Sequence, residues 1–179
     1  MEIQVSETLP NDTTSKLEEF FISQLHVAYH AEQYLYKSLP GIESAVTSDA
    51  LKRELNNHWE QTKQHIKRLE QIFRMMNEDT QMRACDAICS LIDEGRDIID
   101  NTDEGTAQRD AGLIFAMQKI EHYEIATYGG LAQLARTLNL DDIETLLRET
   151  LNEEKAIDTT LTQIAESNIN YKASKEMGF

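Results

Sequence analysis

Apolar residues return every three or four positions along four long stretches of this chain, and that spacing confines it to packed helices. Ser15-Lys16-Leu17-Glu18 has the spacing of a capping box, and Phe21, Leu25, Ala28, Leu35 and Leu39 follow at helical intervals. Pro40-Gly41 is expected to kink or end this first helix. Ser48 can cap a second helix, whose inward positions are Leu51, Leu55, His58, Thr62, Ile66, Leu69 and Phe73. The two form an antiparallel hairpin. Residues 77–105 carry only a short amphipathic helix, around Cys85 to Ile99, between polar turns, and read as a crossover. A third long helix spans roughly Thr106 to Leu138, and after "NLDD", with Asp141 as its cap, a fourth runs to about Ser167. The closing "NINYKASKEMGF" is expected to be loose.

Two helix hairpins joined by one long connection define an all-α, ferritin-like four-helix bundle, since a simple up-down bundle has only short loops. An elongated helical interaction protein is the alternative, but no heptad pattern with charged flanks is sustained. The expected organisation is a flexible N-terminus over 1–14, the bundle domain over 15–170 and a C-terminal tail over 171–179. A chain of 179 residues suits one such domain.

Thirty-two acidic residues against seventeen Lys and Arg leave a net charge of -15, so the basic footprint of a nucleic-acid binder is missing. No run reaches the roughly 18 apolar residues of a membrane span. The polar, acidic "MEIQVSETLPNDTTS" is unlike a signal peptide, so a cytoplasmic location is expected. Cys85 and Cys89, four apart on one helix, read as small reduced core residues, because a bridge there staples no distant parts of the chain.

The helical stripes contain acid. On the third helix Glu121 and Glu124 share a face with Leu113, Met117, Tyr128, Leu131 and Ala135. On the fourth, Glu154 and Asp158 align with Leu147, Leu151, Leu161 and Ala165, and on the first Glu32 falls between Ala28 and Leu35. Five inward carboxylates cost several kcal/mol each unless something of opposite charge meets them. A single glutamate in a stripe is more often an edge residue, so the weight rests on convergence from three helices. Lys119 and Lys155 point away from these stripes, which leaves metal as the economical counter-charge. Iron and manganese suit carboxylate oxygen with some imidazole, and two ions about 3.5–4 Å apart can share a bridging glutamate, for which Glu121 or Glu154 is suited. On the second helix His58 and His65 face inward two turns apart, and His58 is the better match to the level of the acids. His26, His30 and His122 fall off the inward faces. Tyr128 and Tyr29, each one turn from a candidate acid, are placed to hydrogen-bond a ligand, with core packing the plainer role for both.

The stretches "AYHAEQYL", "SDALKRELNNHWEQTKQHIKRLEQIF", "RDAGLIFAMQKIEHYEIATYGGLAQLA" and "LLRETLNEEKAIDTTLTQIA" together resemble the YciE/YciF family of bacterial ferritin-like, stress-associated proteins, over roughly residues 16 to 170. The resemblance implies a commonly dimeric bundle with a dinuclear iron-type site formed by Glu32, residues of the second helix, Glu121, Glu124 and Glu154. One departure stands out: the second helix lacks an inward acid, with Gln61 three residues after His58. On the fourth helix the usual histidine is replaced, with Asp158 as the substitute one turn after Glu154. The resulting set, Glu32, His58, Glu121, Glu124, Glu154 and Asp158, is rich in carboxylate and favours iron or manganese over zinc. The expectation is a dinuclear redox protein of stress defence acting on dioxygen, peroxide or ferrous iron. The alternatives are a non-catalytic dimeric interaction protein with an empty or structural site, and a dimanganese enzyme that disproportionates peroxide.

Overall fold

The computed structural model describes residues 14–177, so all but Thr14 of the segment expected to be a flexible N-terminus lies outside the described residues. The helices are α1 (Lys16–Ala45), α2 (Asp49–Met75), α3 (Asp86–Asp100), α4 (Ala107–Thr137) and α5 (Asp141–Ile164), followed by a π-helical turn (Ala165–Ile169) and the short α6 (Asn170–Ala173). Hydroxyl caps open three of the four long helices. Ser15 accepts from the Glu18 amide at 3.1 Å, Ser48 from Leu51 at 3.5 Å and Thr106 from Arg109 at 3.3 Å, each satisfying an amide that has no partner inside its helix. Asp141 is not the cap of α5. Leu140 holds that position, while Asp141, Asp142 and Glu144 fill the first turn, where carboxylates oppose the positive end of the helix dipole. Asn77 and Asn139, at φ 57° and 58°, turn the chain out of α2 and α4 in the left-handed conformation that asparagine tolerates.

Pro40 does not end α1, one of the two outcomes expected of it from sequence. A proline inside a helix leaves the carbonyl four residues earlier without its donor. Here that carbonyl belongs to Tyr36, and the Trp59 indole Nε1 donates to it at 3.1 Å from α2. The indole also stacks on the Tyr36 ring at 5.0 Å, so the neighbouring helix supplies what proline removed.

Cross-helix contacts give the topology. Tyr36 meets Trp59 and His26 stacks on Phe73, so α1 and α2 run antiparallel. Glu32 contacts Tyr128 while Thr47 reaches Asp110, which makes α1 and α4 antiparallel as well. Arg68 contacts Thr150 on α5, and Gln118 of α4 contacts Thr162. Each helix is therefore antiparallel to both lateral neighbours, and α2 and α4, joined by the crossover, are parallel on a diagonal. This is the ferritin-like arrangement.

The crossover helix α3 lies against α4 and α1. Gly112 permits this approach, because a Cβ there would stand 2.8 Å from Ile98 Cγ2. The Asp110 carboxylate accepts from the Thr47 and Ser48 amides at 2.8 Å each and pins the α1–α2 turn to α4. In the segment read as a C-terminal tail, residues 171–173 complete α6, and Glu176 accepts from the Ala107 and Gln108 amides at 2.8 Å, capping α4 from outside.

Two apolar clusters fill the bundle. One gathers Leu35, Leu39, Leu51, Leu55, Leu113 and Ile157 with their neighbours, and the other Phe21, Leu25, Phe73, Leu131, Leu147 and theirs. They occupy opposite halves of the long axis, and the inward acids lie between them. No helix among the described residues is long and apolar enough to cross a membrane.

Candidate metal centre

Every long helix contributes its middle. Glu32 comes from α1, His58 and His65 from α2, Glu121 and Glu124 from α4 and Glu154 from α5, and each is at most 2 % exposed. The inward spacing explains the selection: 121 and 124 are one turn apart, while 58 and 65 are two turns apart on one face. One donor atom from each of His58, Glu121, Glu124 and Glu154 lies within 4.8 Å of the others, and the same is true of Glu32, His65 and Glu154. Glu154 belongs to both groups, so two adjoining donor sets share one carboxylate.

Ten buried side-chain oxygens and nitrogens among the described residues have no hydrogen-bond partner, and all ten belong to these six residues. Buried polar groups elsewhere in proteins are almost always paired, because an unpaired one forfeits its hydration. The imidazoles come close without bonding well. His58 Nδ1 is 3.3 Å from Glu121 Oε1, and His65 Nδ1 is 3.0 Å from Glu154 Oε1 and 3.4 Å from Glu32 Oε1, but neither nitrogen is aligned for a hydrogen bond. Tyr128 donates its hydroxyl to Glu32 Oε1, the opposite oxygen remaining free.

Electrostatics separates these groups. Burial, then the charges of Glu154 and others, push the Glu121 carboxyl well above the usual 4.5, with Asp158 adding to the effect. Glu124 is raised in the same way by burial and by Glu154 and Glu32. Burial lowers His58 to about 3, so its imidazole is neutral near pH 7 and one ring nitrogen, set by the tautomer, keeps a lone pair for a metal. His65 starts from the same burial penalty, but the charge of Glu32, the bond to Glu153 and the nearby Glu154 carboxylate outweigh it and hold the imidazole well above 6.5.

A partner outside the cluster orients His65. Its Nε2 meets Glu153 Oε2 at 2.9 Å, and Arg68 clamps that carboxylate through both terminal nitrogens, at 2.8 and 3.2 Å. A carboxylate holding the far nitrogen of an imidazole is the arrangement that presents the near nitrogen to a metal. Glu153 is consequently lowered to about 2, chiefly by the His65 bond.

Of the residues proposed from sequence, Glu32, His58, Glu121, Glu124 and Glu154 are brought together and Asp158 is not. Asp158 sits at the α4–α5 rim, where Oδ1 accepts from Gln118 Nε2 at 3.2 Å and faces His122 Nε2 at 3.4 Å. His65, ranked behind His58 in the sequence reading, stands at the centre of the second group. Tyr29 turns away and donates to Glu70 at 3.0 Å. Gln61 faces the surface. The inward place on its turn belongs to Thr62, whose hydroxyl donates to the His58 carbonyl at 2.9 Å, so α2 contributes no acid. Buried Ile157 follows Glu154 by three residues, leaving α5 without a histidine.

An antiparallel bundle with one crossover and a buried carboxylate–imidazole cluster at mid-height defines a ferritin-like protein with a candidate metal centre. Residues 16–174 match the family model described as "Domain of unknown function (DUF892)", and the chain belongs to that family. It is 39% identical to protein YciF of Escherichia coli K12 over 161 residues, covering 89% of this chain and 96% of that one. The crystal structure of the E. coli stress protein YciF superposes with a TM-score of 0.84 over 89% of this chain and 100% of its own. YcfI, described as a putative structural protein from Rhodopseudomonas palustris, is 34% identical, with a TM-score of 0.80 over 86% of this chain and 97% of its own. A Xanthomonas campestris protein, XCC3681, shares the fold at 18% identity, with a TM-score of 0.69 over 90% of this chain and 98% of its own.

Proposed function

We propose that this chain binds a dinuclear iron or manganese centre in the bundle core and uses it in stress defence. The ten unpartnered donors at mid-height carry the reading, because they supply the oxygen-rich, imidazole-containing surroundings that such ions prefer. Glu154, common to both donor groups, would serve both ions. His58, Glu121 and Glu124 complete one side, and Glu32 and His65 complete the other. When bound, the ions supply a change of oxidation state towards dioxygen, peroxide or ferrous iron. The chain's own contribution is to neutralise and orient. Glu153 and Arg68 fix the His65 ring, Tyr128 holds one oxygen of Glu32, and the apolar layers on either side exclude water. A cytoplasmic homodimer is the form we assign to it, with no nucleic-acid or membrane partner.

The test is elemental analysis of protein produced with iron and manganese both available, beside the Glu121→Ala plus Glu154→Ala double variant. About two ions per parent chain and close to none in the variant are expected. Ions at a hundred times their Kd should also raise the stability of the parent by about 2.7 kcal/mol per site. Equal metal in the two proteins overturns the assignment. Oxygen release from peroxide after manganese loading identifies a peroxide-disproportionating enzyme.

A second reading rests on the proton affinities. Burial raises the proton affinity of Glu121 and Glu124, and the neighbouring carboxylates raise that of His65, and both shifts reduce the negative charge of the cluster without any metal, which suits a non-catalytic interaction protein. Its mark is parent protein that stays metal-free and whose thermal transition does not move when iron or manganese is added.

A further inference from the structure

A site this enclosed needs a way in, and the two rims of α5 offer opposite electrostatics. On the α2–α5 side Glu153, 35% exposed, is already committed to Arg68 and His65. Arg68 also approaches Glu149 at 3.5 Å and donates to Thr150 at 2.6 Å, so a guanidinium held by three partners occupies that seam. On the α4–α5 side the outermost acid is Asp158, 23% exposed. No Lys or Arg nitrogen lies within 4.0 Å of it among the described residues. Its Oδ1 has Gln118 and His122 for company, and its Oδ2 has no hydrogen-bond partner among the described residues.

Asp158 follows Glu154 by one helical turn on α5 and turns to the α4–α5 seam, where it meets Gln118 and His122, which bracket Glu121 along α4. The buried ends of that ladder are Glu121 and Glu154, both fully enclosed with both oxygens unpartnered. Exposure falls along these residues, from the His122 imidazole, 70% accessible, to Asp158, 23%, with Gln118 and Thr162 beside it, to the enclosed Glu121 and Glu154.

Resting on the metal-binding reading, we infer that Asp158 and His122 form the transit site through which divalent cations enter the bundle, and that Arg68 shuts the opposite rim. Asp158 is thus a loading residue outside the resident ligand set. A single acid at the mouth of a low-dielectric passage raises the local cation concentration, and such focusing changes on-rates tenfold or more.

The experiment separates rate from capacity. Stopped-flow mixing of metal-free protein with Co(II) is followed by quenching of Trp59, the single tryptophan, which neighbours His58. The final Co(II) content is measured separately. Asp158→Asn is expected to slow filling by about tenfold at low salt, and less at 1 M salt, where screening shortens the reach of the charge. Equilibrium stoichiometry should match the parent, and Asp158→Glu should restore most of the rate. An unchanged rate in Asp158→Asn overturns the inference, and so does a lower final Co(II) content, which makes Asp158 a ligand. Faster filling on Arg68→Gln with no effect of Asp158→Asn relocates the passage to the other rim and equally overturns it. A parent that takes up no Co(II), iron or manganese removes the metal reading itself, a result distinct from each of these.

Discussion

The two apolar halves of the bundle and the layer between them are built from the same helices on opposite principles. In the halves, leucine, isoleucine and phenylalanine fill space with side chains that need no partner. In the middle layer, six side chains bring donors that the protein leaves unpartnered. Burial stabilises the first and penalises the second, so the halves hold the fold while the middle layer stores an unmet demand. The pair Glu153 and Glu154 shows the contrast in adjacent residues. Glu153 is clamped by Arg68 and His65 and falls to about 2, whereas burial raises Glu154 above its ordinary value.

The largest effects should come from the halves. Leu25→Ala and Leu113→Ala each empty a fully buried position, one in each cluster, and should cost about 2–5 kcal/mol in chemical denaturation whether or not metal is present. A loss that disappears on metal loading breaks the division between supporting halves and demanding middle.

A change in the middle layer should have the opposite sign. Glu121→Gln removes a buried carboxylate that lacks a partner, and should stabilise the metal-free protein near pH 7.5 by about 1–3 kcal/mol while abolishing tight metal binding. Its pH signature follows from linkage. Glu121 and Glu124 bind their protons more tightly folded than unfolded, so folding takes up protons and their contribution is greatest below about pH 4.5. It is lost as pH rises towards their raised folded values. Urea midpoints measured across pH 5–8 should therefore decline less steeply for Glu121→Gln than for the parent, both metal-free. A variant less stable than the parent throughout this range contradicts the picture.

The smallest effect belongs to the rim. Arg68→Gln frees a half-exposed Glu153 and should cost about 0.5–1 kcal/mol, since partly solvated ion pairs contribute little. Glu153, held low by its partners, stabilises the protein above about pH 4.5, and that contribution fades as pH falls towards 2. The variant should accordingly differ from the parent at pH 6 and converge with it in strong acid.

Helical period alone located the four long helices, the crossover and four of the buried glutamates, because a residue's face on a helix depends only on its own stretch of chain. Ser15 and Ser48 were legible as caps for the same reason. What depended on a second helix was not. Pro40 remained inside α1 because Trp59, nineteen positions later, supplied a donor to the Tyr36 carbonyl. The choice between His58 and His65 presumes that one level is favoured, whereas both face the buried carboxylates, which are spread over two turns of α2. Asp158 has the wrong face: the buried line of α5 runs Glu154, Ile157, Leu161, and Asp158, one position past Ile157, turns to the α4–α5 rim.

The sequence by itself determined which residues point inward and that those inward stripes are mixed with acid, since both follow from a 3.6-residue turn and a count of side chains. Tertiary structure decided which acids are paired and which are left bare. That depends on how antiparallel helices are rotated and set against one another by turns and by contacts such as Asp110 with the α1–α2 turn, and one step of about 100° around α5 separates buried Ile157 from Asp158 on the rim.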